Sequence, residues 1–144
     1  MNFQIRECDI DDAKFICELN YNEMGYEFPV KETEKKLEYL LKSGKDKILV
    51  ATVDELVVGY IHANDYDVIY APHMKNIMGI AVSSKFKRRG IGKALLTEIE
   101  KWARETGACG IRLVSGAIRT DAHEFYRHCG YKGDKHQINF KKIF

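Results

Sequence analysis

Apolar positions change period several times along the chain, and each change marks a predicted element. Phe3-Gln4-Ile5-Arg6 alternates as a short strand. Asp9 is placed to cap a helix over Ile10–Glu23, with Asp12 as its capping-box partner. Ala13, Ile16, Cys17 and Asn20 share one face of that helix. Met24–Pro29 breaks the pattern and reads as a loop. A second helix is predicted over Lys31–Lys42, with Leu37, Leu40 and Leu41 facing the core and Gly44 ending it.

Lys47–Val53 and Leu56–Ala63 are rich in Val, Ile and Leu and flank Asp54-Glu55, which reads as a hairpin. Asn64–Lys75 is the longest irregular stretch, and Asn76–Val82 reads as a buried strand. Lys93–Thr106 is strongly amphipathic through Leu95, Leu96, Ile99, Trp102 and Ala103, with Gly107 as its stop. A strand over Gly110–Ser115, a short helix over Asp121–Cys129 and one or two closing strands in Tyr131–Phe144 complete the series. The expected fold is α/β of the α+β type: a mixed, mostly antiparallel sheet of six or seven strands flanked by about four helices. The unit Asn76–Ser115 should form a parallel, right-handed β-α-β crossover.

Composition narrows the class. A length of 144 residues suits one domain, and with no repeat or linker a single domain over 1–144 is expected. Apolar residues make up 45% and charged residues 31%, ordinary values for a globular chain. The net charge of +2 and the absence of a second basic patch argue against nucleic acid, and no apolar run is long enough for a membrane span. Cys8, Cys17, Cys109 and Cys129 contain no C-x-x-C pair, so reduced thiols are expected. With no apolar leader at the N-terminus, a cytoplasmic location is expected as well.

Charge is nevertheless uneven. Lys85, Lys87, Arg88, Arg89 and Lys93 fall within nine residues that hold no acid, around Gly90 and Gly92. A turn between a strand and a helix exposes main-chain N–H groups at the positive end of the helix dipole, where a phosphate can bind. The plainer alternative is a strand-to-helix turn with a solvated basic face. Neither a dinucleotide fingerprint nor a Walker loop fits: Leu95 stands where the former needs a third glycine, and Gly90 and Gly92 are too close for the latter.

The stretch Ile80–Leu96, and within it Lys87-Arg88-Arg89-Gly90-Ile91-Gly92-Lys93, resembles the acetyl-CoA motif of the GNAT superfamily of N-acetyltransferases, Arg/Gln-x-x-Gly-x-Gly/Ala after a strand. Lys87 stands at the Arg/Gln position. Ala122-His123-Glu124-Phe125-Tyr126-Arg127-His128-Cys129-Gly130-Tyr131 resembles the second signature, A-x-x-[FL]-Y-x-x-x-G-[FY]. The two motifs occur in the family's order and imply its fold over almost the whole chain.

The resemblance implies acetyl-CoA as co-substrate and no metal. Amides from Arg88 to Lys93 would hold the pyrophosphate, with main-chain groups around Ile80, Ala81 and Val82 pairing with the pantetheine arm. Ala122 and Tyr126 would face the cofactor, with Tyr126 supplying a proton or hydrogen bond to the leaving thiolate. A core tyrosine is the plainer reading of Tyr126. Arg119 stands where the family often has Asn, and could instead meet a cofactor phosphate or cap the site.

The acceptor implied is a primary amine, small and aminoglycoside- or polyamine-like, or else a protein N-terminus or lysine. A non-catalytic acyl-CoA sensor is a further alternative. An alkylammonium with a pKa of about 10.4 must lose a proton before it attacks. Glu23, Asp65, Asp67, His73 or water are the candidate bases, and a main-chain N–H on the strand ending at Val82 would stabilise the oxyanion. The aromatic and acidic segments Met24–Pro29 and Asn64–Lys75 would border the acceptor. They could equally pack on each other or form a homodimer interface.

Overall fold

The computed structural model describes residues 2–144. The elements are β1 (Gln4–Glu7), α1 (Ala13–Met24), α2 (Val30–Leu41), β2 (Asp46–Val53), β3 (Leu56–Tyr66), β4 (Met74–Val82), α3 (Ile91–Glu105), β5 (Ile111–Leu113) and α4 (Thr120–His128), with 3-10 turns at Ile10–Asp12 and Ser84–Phe86. The chain forms two compact units, Met1–Leu113 and Val114–Phe144.

The first unit holds a five-stranded sheet in the order β1-β2-β3-β4-β5, antiparallel except for the parallel β4–β5 pair. The connections follow the pairing: short links join β2 to β3 and β3 to β4 antiparallel, whereas the α3 crossover returns the chain parallel. The sheet has five strands, not six or seven. The segment Tyr131–Phe144 is not in a strand, because alternation at Ile138 and Phe140 makes a strand only where a hydrogen-bonded partner exists, and none is paired there.

Strand alternation assigns the two faces. Ile48 and Val50 of β2, Tyr60 of β3 and Ala81 of β4 form one core with Ala13, Ile16, Leu19 and Leu37 of α1 and α2. Leu49 and Ile61 point the other way, toward the face covered by α3, whose buried stripe is Ile91, Leu95, Leu96, Ile99 and Ala103. Full burial of one such side chain contributes about 1.5–3 kcal/mol.

Local signals explain most boundaries. Asp9 accepts from Asp11 N at 2.7 Å and Asp12 accepts from Asp9 N at 3.0 Å, the expected capping box, which here starts the 3-10 turn ahead of α1. Asp54 and Glu55 both have positive φ, 49° and 68°, which lets a two-residue turn join β2 to β3. Asn64–Tyr66 and Met74–Lys75 belong to strands, so the irregular stretch shrinks to residues 67–73. Polar residues there suggested a loop, but pairing with the neighbouring strand extends the ladder.

β4 carries a bulge. The register passes from His62↔Gly79 to Ala63↔Ile77, leaving Met78 unopposed. On the other edge β5 pairs only with Lys75–Ile77. From Met78 to Val82, β4 therefore has a strand partner on one side only.

Candidate functional site

After Val82 the chain passes through Ser83, whose N–H donates to Val58 O at 2.8 Å, and the Ser84–Phe86 turn to Lys87. Two residues then take left-handed backbone: Arg88 at φ 64° and Gly90 at φ 83°. Gly90 is the N-cap of α3, a conformation costly for a residue with a Cβ. The helix begins at Ile91, two residues before the expected Lys93, because the αL residue at 90 turns the chain directly into helical geometry.

The first intrahelical hydrogen bond runs from Ala94 N to Gly90 O at 3.0 Å. The amides of Ile91, Gly92 and Lys93 precede it, no side chain caps this end, and the first turn holds no acid. Ile91 is buried, so only its main chain is available. Lys85, Arg88 and Lys93 add positive charge around these amides, and Arg89 lies over the Phe86 ring at 5.5 Å. Uncapped donors, the helix dipole and cations together fit a diphosphate. Ile80, Ala81 and Val82 lie on the half-paired stretch of β4, which offers main-chain groups to an extended ligand.

In the second unit, Arg119 occupies the N-cap of α4, and Ala122 and Tyr126 lie one helical turn apart on it. The preceding loop is held by His123 Nε2 on Gly116 O at 2.9 Å and by Arg119 N on the same carbonyl at 3.0 Å. Burial pushes the Tyr126 phenol above the usual tyrosine range, Arg119 opposes this, and Cys129 adds to it. Its ring meets Phe125 and Tyr131 edge-on at 5.3 and 6.2 Å. Ser115 Oγ, just before this loop, is buried and without a hydrogen-bond partner among the described residues.

The candidate bases are all engaged. Glu23 Oε1 pairs with Lys87 Nζ at 3.2 Å and Oε2 accepts from Ser84 N at 3.0 Å. Asp67 meets His73 Nδ1 at 2.8 Å, and Lys75 Nζ reaches His73 Nε2 at 3.0 Å and Asp65 Oδ1 at 2.6 Å. His73 thus has both ring nitrogens inside one cluster, Nδ1 against Asp67 and Nε2 against Lys75. Lys75 is 2% exposed and lies 4.1 Å from the centre of the Trp102 ring. Sequence reading missed this buried lysine, the Met78 bulge and the Glu23 contacts, because each depends on residues distant along the chain.

Beside the 25–29 segment is an open pocket of about 570 Å³, lined by Cys17, Glu18 and Tyr21 of α1 and by Tyr26, Glu27 and Phe28. Its wall is α1, and the 64–75 segment does not line it. Among the described residues no cluster of His, Cys, Asp and Glu is placed to hold a metal, and no helix is long and apolar enough to cross a membrane.

Known proteins share this fold. Streptothricin acetyltransferase A of Bacillus subtilis (strain 168) is 38% identical over 50 residues, 35% of this chain and 29% of that protein. The chain thus matches less than a third of that relative's length. A transcriptional regulator from Bacillus halodurans C-125 superposes with a TM-score of 0.87 at 23% identity, over 98% of this chain and 100% of that one. Aminoglycoside N-acetyltransferase AAC(6')-Iy in complex with CoA gives 0.87 at 17% identity, over 98% and 95%. Aminoglycoside 6'-N-acetyltransferase AAC(6')-Ih from Acinetobacter baumannii gives 0.85 at 16%, over 99% of each. At these identities the structures establish the fold. The model of the acetyltransferase (GNAT) family matches residues 13–131, through both the glycine turn and the Tyr126 helix, and the chain belongs to that family.

Proposed function

We propose that this chain is an acetyl-CoA-dependent N-acetyltransferase that moves the acetyl group directly to a primary amine of a small molecule, aminoglycoside- or polyamine-like. The observation that carries the donor half is the start of α3: three amides ahead of the first helical bond, Gly90 in left-handed backbone, and neighbouring cations. The acceptor half rests on the activities of similar proteins, streptothricin and aminoglycoside acetyltransferases. Reading 1–144 as one GNAT domain is supported by a family match that runs through both compact units.

In this reading Arg88–Lys93 hold the pyrophosphate, and Ile80, Ala81 and Val82 offer main-chain groups to the pantetheine arm. Arg119 and Ala122 contact the cofactor from the start of α4. The co-substrate supplies an activated acetyl thioester. The acceptor ammonium gives its proton to water, since Glu23, Asp65, Asp67 and His73 are each committed to another partner. The free amine bonds to the acetyl carbon as the carbon–sulfur bond breaks. Tyr126, kept protonated by burial, gives its proton to the leaving sulfur, and the second proton, shed by the acylated nitrogen, returns through water to restore the phenol. In this reading the transfer is direct and no protein thiol takes part: Cys8 is buried, and the four cysteines include no C-x-x-C pair.

Calorimetry with coenzyme A tests the donor site, and thiol release from acetyl-CoA across a panel tests the acceptor. The panel holds streptothricin, aminoglycosides, polyamines and lysine-containing peptides. Turnover with the small amines is expected. Turnover with peptides alone would transfer the assignment to protein acetylation, and binding without any turnover would make the chain an acyl-CoA sensor.

A further inference from the structure

The end of α1 and the entrance to the glycine turn meet at one side chain. Glu23 is 61 residues from Ser84 in sequence, yet its Oε2 accepts from Ser84 N at 3.0 Å while its Oε1 lies 3.2 Å from Lys87 Nζ. The two oxygens act on different things. One fixes the main chain where β4 gives way to the Ser84–Phe86 turn. The other neutralises the residue that stands first in the glycine motif.

The Ser84 amide has a charged acceptor in Glu23, and hydrogen bonds to a carboxylate are about twice as strong as neutral ones. The next amide, Lys85 N, has only a long contact of 3.4 Å to Ser83 Oγ. Glu23 is therefore the firm side-chain tie on this turn. The Glu23 side chain is 13% exposed, whereas that of Lys87 is 58% exposed.

We propose that Glu23 is the positioning residue of the diphosphate loop and sets its affinity for the donor: it anchors the loop through Ser84 and holds the Lys87 charge away from the bound anion. This rests on the reading of residues 88–93 as a diphosphate site. The two roles have opposite signs. Losing the anchor loosens the loop and weakens binding, while releasing Lys87 strengthens attraction to an anion.

Two substitutions separate them. Glu23→Gln keeps an oxygen for Ser84 N–H and removes the charge that holds Lys87. Glu23→Ala removes both. Coenzyme A binding is measured by calorimetry across a salt series, together with KM for acetyl-CoA and kcat, and amide exchange at residues 83–90 is followed in the ligand-free protein. Glu23→Gln should bind coenzyme A about threefold more tightly at low salt, an advantage that fades as salt screens the released charge. In a Lys87→Met background that gain should vanish. Glu23→Ala should bind about tenfold more weakly, through KM rather than kcat, with faster exchange at Ser84.

Unchanged binding and exchange in both variants overturns the proposal, as does weaker binding by Glu23→Gln equal to that of Glu23→Ala. If the parent protein does not bind coenzyme A, the diphosphate reading fails instead, and Ser84 exchange in the free protein still decides whether Glu23 anchors the turn.

Discussion

The Tyr60 hydroxyl lies where a Cβ on residue 79 would come within 3.2 Å of it, so the tyrosine of β3 and the glycine of β4 are fitted to each other. Tyr60 cannot retreat freely: it is buried, and its hydroxyl donates to Asn20 Oδ1 at 2.5 Å. Gly79 also adjoins the Met78 bulge, at the start of the half-paired edge of β4. Gly79→Ala should destabilise the fold by about 1–2 kcal/mol, the usual overpacking cost. Tyr60→Phe, which removes the crowding oxygen, should recover most of that loss in the double variant. Denaturant midpoints for the four members of the cycle measure the coupling. Simple additivity would show that the contact carries no strain.

The acid role proposed for Tyr126 carries a pH signature. A proton donor must be protonated, and burial holds this phenol above the ordinary tyrosine value of about 10. The alkaline limb of kcat should therefore fall above that pH. Tyr126→Phe should lower kcat by about a hundredfold, at the lower end for general acid catalysis, and should abolish the limb. Full activity in the variant at every pH would remove the acid role.

Asp12 should govern acid stability. Burial alone would raise its pKa, but hydrogen bonds from both Arg6 guanidinium nitrogens at 2.8 and 2.9 Å, the Asp9 amide and the Arg6 charge together lower it. A depressed carboxylate stabilises the fold fully above its unfolded pKa of about 3.9, and that contribution is lost as pH falls through the lower native value. Arg6→Met leaves the buried carboxylate unpaired and should cost about 3 kcal/mol at neutral pH, read from urea unfolding. Asp12→Asn should flatten the loss of stability below pH 4.

The four thiols should react in order of access. Cys8 is buried, and desolvation followed by the nearby Asp12 charge pushes its pKa up to about 12. Cys109 is exposed. A disulfide-exchange reagent should modify Cys109 first and Cys8 only on unfolding, as peptide mapping of partially labelled protein would show.

Local patterns carried far in this chain. The capping box at Asp9, the Asp54-Glu55 turn, the stripe of α3 and the glycine motif were all readable because each lies within one turn or one helix. The limits are equally physical. Pairing decides where a strand ends, so β3 and β4 ran into the polar residues Asn64–Tyr66 and Met74–Lys75, and the C-terminal alternation formed no strand. Charge alone could not tell that Glu23, a candidate base, spends its carboxylate on Ser84 and Lys87. Nor could composition show that Lys75 is buried against Trp102.

That last packing also fixes what light can report. Trp102 is the only indole in the sequence, and it faces the ammonium of a lysine at the start of β4, seven positions before Val82 leads into the glycine turn. Intrinsic fluorescence therefore watches the far end of the strand from the one proposed to receive the donor. A change in emission when coenzyme A is added would mean that the strand conveys occupancy along its length, and an unchanged spectrum would mean that the two ends respond independently.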